Sequence, residues 1–261
     1  MNCRRRFLPV LMLLAILAVS LFSGCNTRTE GEFDPYTVPI FSTVGSDIKT
    51  NSEQIKSKLD MAGNSSFRID DNGAITYYRS ESDEQIPIQM TDDEALRQAT
   101  EYLNELGLLP KDEYRAYVSK VNRSGVDLTG GNVSTSETIW IDVFFYRVYN
   151  GVDVISDQED GIILSFDAQG IRSLRYFWRA IETSKISADT KPISAEDAHH
   201  IYLDQWDSRH GTCCEPYESP EIFSAYIQIN GTSRPCWVIA EDKMYTNAWF
   251  IDMFTGEVFG G

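Results

Sequence analysis

Apolar and polar residues follow one another along this chain in three rhythms. From Phe7 to Phe22 the apolar run is broken only by Pro9 and Ser20. Around Thr91–Gly107 apolar residues recur every three or four positions, with Ala95, Ala99, Tyr102, Leu103 and Leu106 forming one stripe of a helix. Thr91 with Glu94 fits a capping box, Gly107 closes the helix and Pro110 prevents its continuation. A weaker helix is expected over Asp47–Met61. About 103 residues after the first cap, Ser194-Ala195-Glu196-Asp197-Ala198 repeats its chemistry, and Ala198, Ile201, Tyr202 and Trp206 supply the buried side of a second strong helix.

The third rhythm is the short alternation of strands. A hairpin is expected at Phe67–Asp70 and Ala74–Tyr78, around Asp71-Asn72-Gly73. Strands follow the first strong helix at Glu113–Val121, Thr138–Tyr149, Gly161–Phe166 and Ile171–Trp178. After the second come Glu221–Ile229, Pro235–Ala240, Asn247–Met253 and Glu257–Phe259. Asn150-Gly151, Asn230-Gly231, Asp167–Gly170 and Thr255-Gly256 are tight-turn signals, so consecutive strands should run antiparallel. The expected fold is α+β: two helix-plus-antiparallel-meander units, each helix covering one face of its sheet. Residues 47–186 form the first unit and 187–261 the second. Most aromatic residues fall in these strands, including Trp140, Phe144, Phe145, Tyr146 and Trp237. Core packing is their expected role, with an exposed aromatic groove for peptide or glycan as the alternative. Both faces of Trp140–Tyr149 are apolar, which predicts a central strand covered on both sides.

The first rhythm belongs to export. Arg4, Arg5 and Arg6 precede an apolar run too short to span a bilayer and of the right length for a signal-peptide core. It ends in Leu21-Phe22-Ser23-Gly24-Cys25, which resembles a bacterial lipobox with Phe22 where Leu is usual. Residues 1–24 are read as a lipoprotein signal peptide, Cys25 as the acylated residue and 25–46 as a tether. The alternative is an uncleaved signal anchor. Either way the remainder faces outward, at the outer surface of the cytoplasmic membrane. Two acyl chains hold a protein stably there, whereas one does so only marginally.

Composition narrows the partners. The chain has 261 residues, 39 acidic against 23 basic, and a formal net charge of −16. That balance excludes nucleic acid, whose phosphates need clustered Lys and Arg. Five cysteines occur; with Cys3 in the signal and Cys25 acylated, Cys213, Cys214 and Cys236 remain. A bridge from Cys236 to one of the adjacent pair is permitted outside the cell, leaving one thiol. Asn64, Asn122, Asn132 and Asn230 begin N-x-S/T sequons and are ordinary loop residues in a bacterium.

No zinc-protease, nucleophile-elbow, phosphate-loop or dinucleotide motif is present. His199 and His200 are helix neighbours that point apart, and His210 with Cys213 or Cys214 is a conceivable zinc pair. Glu81–Glu84, Asp92–Glu94 and Asp157–Asp160 are acidic clusters, but none has the spacing of a calcium loop. No catalytic residue, metal or cofactor is expected.

Two segments carry a family resemblance. Tyr146-Arg147-Val148-Tyr149-Asn150-Gly151-Val152-Asp153-Val154 and Gly161–Gly170 resemble propeptide domains of thermolysin-like proteases. Pro235-Cys236-Trp237-Val238-Ile239 with Ile251-Asp252-Met253-Phe254-Thr255-Gly256-Glu257-Val258 resembles the end of a PepSY domain. The arrangement is also similar to the extracytoplasmic regulators of the Gram-positive cell-wall sensor kinase. The resemblance implies a non-enzymatic, membrane-held module that binds a protein or peptide partner. With no protease domain in the sequence, it is expected to act in trans on a sensor kinase or protease. A small-ligand or metal-binding lipoprotein is the alternative.

Overall fold

The strong helix forms where the local signals place it. Thr91 is extended and its hydroxyl accepts from the Glu94 N–H; Gly107 takes the left-handed conformation at φ 72°. Such a cap contributes about 1 kcal/mol. In the computed structural model the chain is described over residues 33–45, 52–59, 65–71, 73–79, 86–126, 134–156, 160–187, 189–210, 216, 219–229, 232–240 and 248–260. The apolar run, Cys25, Glu81–Glu84 and the Cys213–Cys214 pair lie outside these residues. No described helix is long and apolar enough to cross a membrane.

Three helices are described: α1 (Ser52–Lys58), α2 (Asp92–Leu106) and α3 (Ala195–His210). The strands are β1 (Thr37–Gly45), β2 (Ser65–Ile69), β3 (Ile75–Arg79), β4 (Tyr114–Val126), β5 (Ser134–Tyr149), β6 (Val152–Ser156) and β7 (Gly161–Asp167). They continue as β8 (Gly170–Phe177), β9 (Arg179–Lys185), β10 (Glu221–Ile229), β11 (Thr232–Ala240), β12 (Trp249–Asp252) and β13 (Val258–Gly260). The fold is mixed α+β, rich in antiparallel sheet and with few helices.

The expected meanders are present, but they share one sheet. Its order is β13-β12-β11-β10-β6-β5-β7-β8-β3-β2, with β4 beside β5. The halves meet where β6 and β10 run parallel, Tyr226 opposite Val154 and Gln228 opposite Ser156. Tight turns still join only antiparallel neighbours; this parallel pair is bridged by the long connection through β7–β9 and α3. The expected boundary near residue 186 falls between β9 and α3 while the sheet runs through both halves. Glu32–Gly261 is one compact unit.

The stretch read as a tether is shorter than expected. Thr37–Gly45 is β1, antiparallel to β9. Val38 and Phe41 are buried with Val152, Val154 and Tyr226, so burial of a β-branched and aromatic run outweighs the Pro39 that argues against a strand. Pro39 is tolerated because a two-stranded ribbon has free edges.

One face of the long sheet is covered throughout. The α2 stripe of Ala95, Ala99, Leu103 and Leu106 packs with Ile141, Val143, Phe145 and Leu164. The β1–β9 ribbon lies over the middle, and α3 brings Ala198 and Tyr202 against Ile239, Trp249 and Ile251. Each strong helix thus covers one face of its own strands. Asp252, from the PepSY-like ending, accepts from the N–H groups of Phe254 and Thr255 and so builds the turn before β13.

Candidate functional site: an open aromatic face

The strand β5 is central, but among the described residues only one of its faces is closed. Ile141, Val143, Phe145 and Arg147 are buried, whereas Trp140, Asp142, Phe144 and Tyr146 between them are half-exposed. The expectation of cover on both sides fails because the described helices all pack on the other face. Pairing extends this open face into rows. One row runs Tyr117, Phe144, Ile163, Arg175 and Thr76; the next runs Ser119, Asp142, Ser165, Ser173 and Tyr78.

The rows differ in chemistry. Phe144 and Tyr146 stack at 6.1 Å with planes 7° apart, and Tyr117 tilts against Tyr146 at 5.6 Å. On the far side the Arg172 guanidinium sits 4.2 Å over the Trp140 ring and 5.7 Å from that of Tyr78. Between them Ser173 donates to Ser165 at 2.9 Å, and Ser165 to the Asp142 carboxylate at 2.5 Å. At the rim Arg115 pairs with Asp153 at 2.5 Å and donates to the Gly151 carbonyl, while the Tyr117 hydroxyl donates to Asp153 at 3.3 Å. Half-exposed rings, cations and a fixed polar line suit an extended chain laid across them. All three histidines belong to α3, so no imidazole activates the serines here.

Burial, with the nearby Asp153 carboxylate second, pushes the Tyr117 phenol up to about 12. Burial also pushes Tyr176 to about 12 and raises Tyr226 further. The fold therefore holds these phenols neutral while the unfolded chain ionises them near 10. Their contribution is complete below pH 10 and is lost as pH rises toward about 12. In an alkaline titration, tyrosinate absorbance from these residues is expected to appear only as the chain unfolds, with the urea midpoint falling steeply over that interval. Tyrosines that all ionise near pH 10 in the folded chain would contradict it.

Elsewhere the expected candidates separate. His199 stacks on Tyr202 with ring centroids 6.0 Å apart, His210 lies 4.3 Å from Trp206, and His200 is exposed. Asp92–Glu94 form the first turn of α2, where carboxylates complement the helix dipole, and Asp92 also pairs with Lys120 at 2.6 Å. Of Asp157–Asp160 only Asp160 is described, and its carboxylate lies between the Arg147 and Arg179 guanidiniums. Among the described residues no three metal-ligating side chains are grouped. Cys236 is a free thiol buried in β11, and burial raises its pKa. A groove of about 490 Å³ also opens between the end of α2 and β8–β9, beside Leu108, Asp112 and Trp178.

No protein family and no curated protein matches this chain. Two solved structures are similar to it. An uncharacterized protein from Eubacterium rectale ATCC 33656 has 13% identity and a TM-score of 0.45, over 86% of this chain and 85% of that one. YycH from Bacillus subtilis has 11% identity and a TM-score of 0.45, again over 86% of this chain but 52% of YycH. The chain thus spans about half of YycH. Similarity at this level carries no function across.

The open face was legible only in part. Its aromatics stand out in the sequence, but rings on both faces of β5 hide which side is covered. Arg147 was the overlooked signal: a cation inside an apolar strand needs a buried partner.

Proposed function

We propose that this chain is a non-enzymatic extracytoplasmic lipoprotein, held at the outer face of the cytoplasmic membrane by lipid on Cys25, that binds a protein or peptide partner on its open aromatic face. Regulation of a sensor kinase or protease is the role that the sequence resemblance favours. The observation that carries the reading is the half-exposed Tyr117, Trp140, Phe144 and Tyr146 surface, formed by strands whose other face packs into the core beneath α2. Contiguous half-exposed aromatic surface of this kind marks interaction sites. The groove beside Leu108 and Trp178 keeps a small apolar ligand as a second reading.

A photo-crosslinking side chain placed at Phe144 in the full chain, in its native cells, is expected to give a discrete protein adduct. The same probe at Arg97, exposed on α2, should give none. A Cys25→Ala chain should lose its acyl label and leave the membrane fraction. Absence of an adduct at Phe144, or equal adducts at both positions, would remove the docking face. A Cys25→Ala chain that stays in the membrane fraction would replace the lipid by an uncleaved anchor.

A further inference from the structure

The strand β4 borders the open face and, among the described residues, has a neighbour on one side only. It spans Tyr114–Val126 and, of the described strands, pairs with β5. The other two edges of the large sheet are short, β2 with 5 residues and β13 with 3. Short edges are a common protection against unwanted pairing, and β4, at 13 residues, lacks it.

The direction of its backbone groups follows from register. The Val148 N–H donates to the Glu113 carbonyl at 2.9 Å. In an antiparallel ladder hydrogen-bonded pairs alternate with non-bonded ones, so Arg115, Tyr117 and Ser119 exchange bonds with Tyr146, Phe144 and Asp142. Tyr114, Ala116, Val118 and Lys120 must then point N–H and C=O away from β5. Among the described residues these groups have no backbone partner. The same edge is basic: Arg115, Lys120 and Arg123 fall in β4 and no acid does, in a chain with 39 acidic and 23 basic residues. Arg115 is already held by the buried Asp153, whereas Lys120 and Arg123 have acidic neighbours in Asp92 and Glu137 in pairs that are solvent-exposed and weak.

We infer that the outer edge of β4 accepts an extended acidic segment of a partner protein as an added antiparallel or parallel strand. The inference rests on the partner-binding reading above and supplies its mode. Main-chain bonds to Ala116 and Val118 would hold the strand, and alternate side chains on one side would reach Arg115 and Tyr117 on the open face. A second copy of this chain fits poorly. Pairing β4 with itself sets Lys120 and Arg123 against their equals with no acid in either strand, and like charges across a ladder repel. An acidic strand meets the opposite field.

The test uses the full chain and a fluorescent, capped peptide of alternating glutamate and threonine, with a lysine-for-glutamate peptide as its counterpart. The acidic peptide is expected to bind and the basic one to show no binding. Ala116→Pro removes an outward N–H without touching the β4–β5 ladder, and proline is tolerated on an edge; it should weaken binding by at least about tenfold. Lys120→Glu with Arg123→Glu leaves the backbone unchanged and should weaken it comparably. Binding that is unaffected by Ala116→Pro, equal binding of both peptides, or no binding of the acidic one would overturn strand addition. A Phe144 adduct that persists in the Ala116→Pro chain would keep partner binding and discard this mode. Loss of the adduct from the unsubstituted chain would instead discard the reading beneath it.

Discussion

Asp160→Ala is expected to cost about 3–5 kcal/mol of folding stability, a fall in melting midpoint of roughly 6–20 °C for a chain of this size. Asp160 is buried, and its carboxylate accepts from the Arg147 guanidinium at 3.0 Å, the Arg179 backbone N–H at 3.0 Å and the Arg179 guanidinium at 3.4 Å. Removing it leaves the buried Arg147 guanidinium with the half-exposed Asp112 as its other described ionic partner, and takes from Arg179 the buried carboxylate beside it. Aromatic rings offset little of that, although Arg147 lies 4.3 Å over Trp178 and Arg179 lies 4.4 Å over Phe41.

The position of this cluster makes the cost more than local. Arg179 also donates to Gln228 of β10 and Ser156 of β6, the two strands whose short parallel pairing joins the halves of the sheet. Loss of Asp160 should therefore loosen the seam as well as expose charge. Urea unfolding followed by tryptophan fluorescence measures the effect, and Asp112→Ala, at the exposed end of the network, should cost about 1 kcal/mol or less. An Asp160→Ala chain within 1 kcal/mol of the parent would mean that the seam is held by apolar packing alone.

What could be read from the sequence was whatever is decided within a few residues. The cap at Thr91, the stripe on α2 and the left-handed Gly107 are all local, and so is the hairpin turn at Asn150 and Gly151, with φ of 49° and 77°. Ser194 and Asp197 close their box in both directions: the Asp197 N–H donates to the Ser194 hydroxyl and the Asp197 carboxylate accepts from the Ser194 N–H and O–H. Those bonds hold the Asp197 carboxyl below its usual range. The seam was hidden because its partners lie 13 to 72 residues apart and are charged or polar types that in isolation read as surface. The open face was hidden for a different reason. Period-two alternation separates polar from apolar positions, but it cannot tell a ring under a helix from one at the surface when both sides of a strand carry rings.

Trp249→Ala should cost about 3–5 kcal/mol and release α3 before the rest of the sheet. The helix is well capped but weakly anchored: only Ala198 and Tyr202 are buried on it. What holds it is a group of rings around the buried Trp249. Tyr202 meets that ring edge-on at 5.4 Å, Trp206 lies 6.0 Å away, and the Arg209 guanidinium sits 4.6 Å over its face. Truncating Trp249 removes the shared partner of three successive turns of the helix, whereas α2 keeps its own stripe and core. Amide exchange across Ala195–His210 is accordingly expected to accelerate by about a hundredfold, the equivalent of about 2.7 kcal/mol of local opening, with α2 losing only what global destabilisation takes. If α3 retained its protection in that variant, the helix would be held by its cap and by Ile193 and Trp237, whose indole N–H donates to the Ile193 carbonyl at 3.0 Å. The aromatic group would then be packing that the helix can do without.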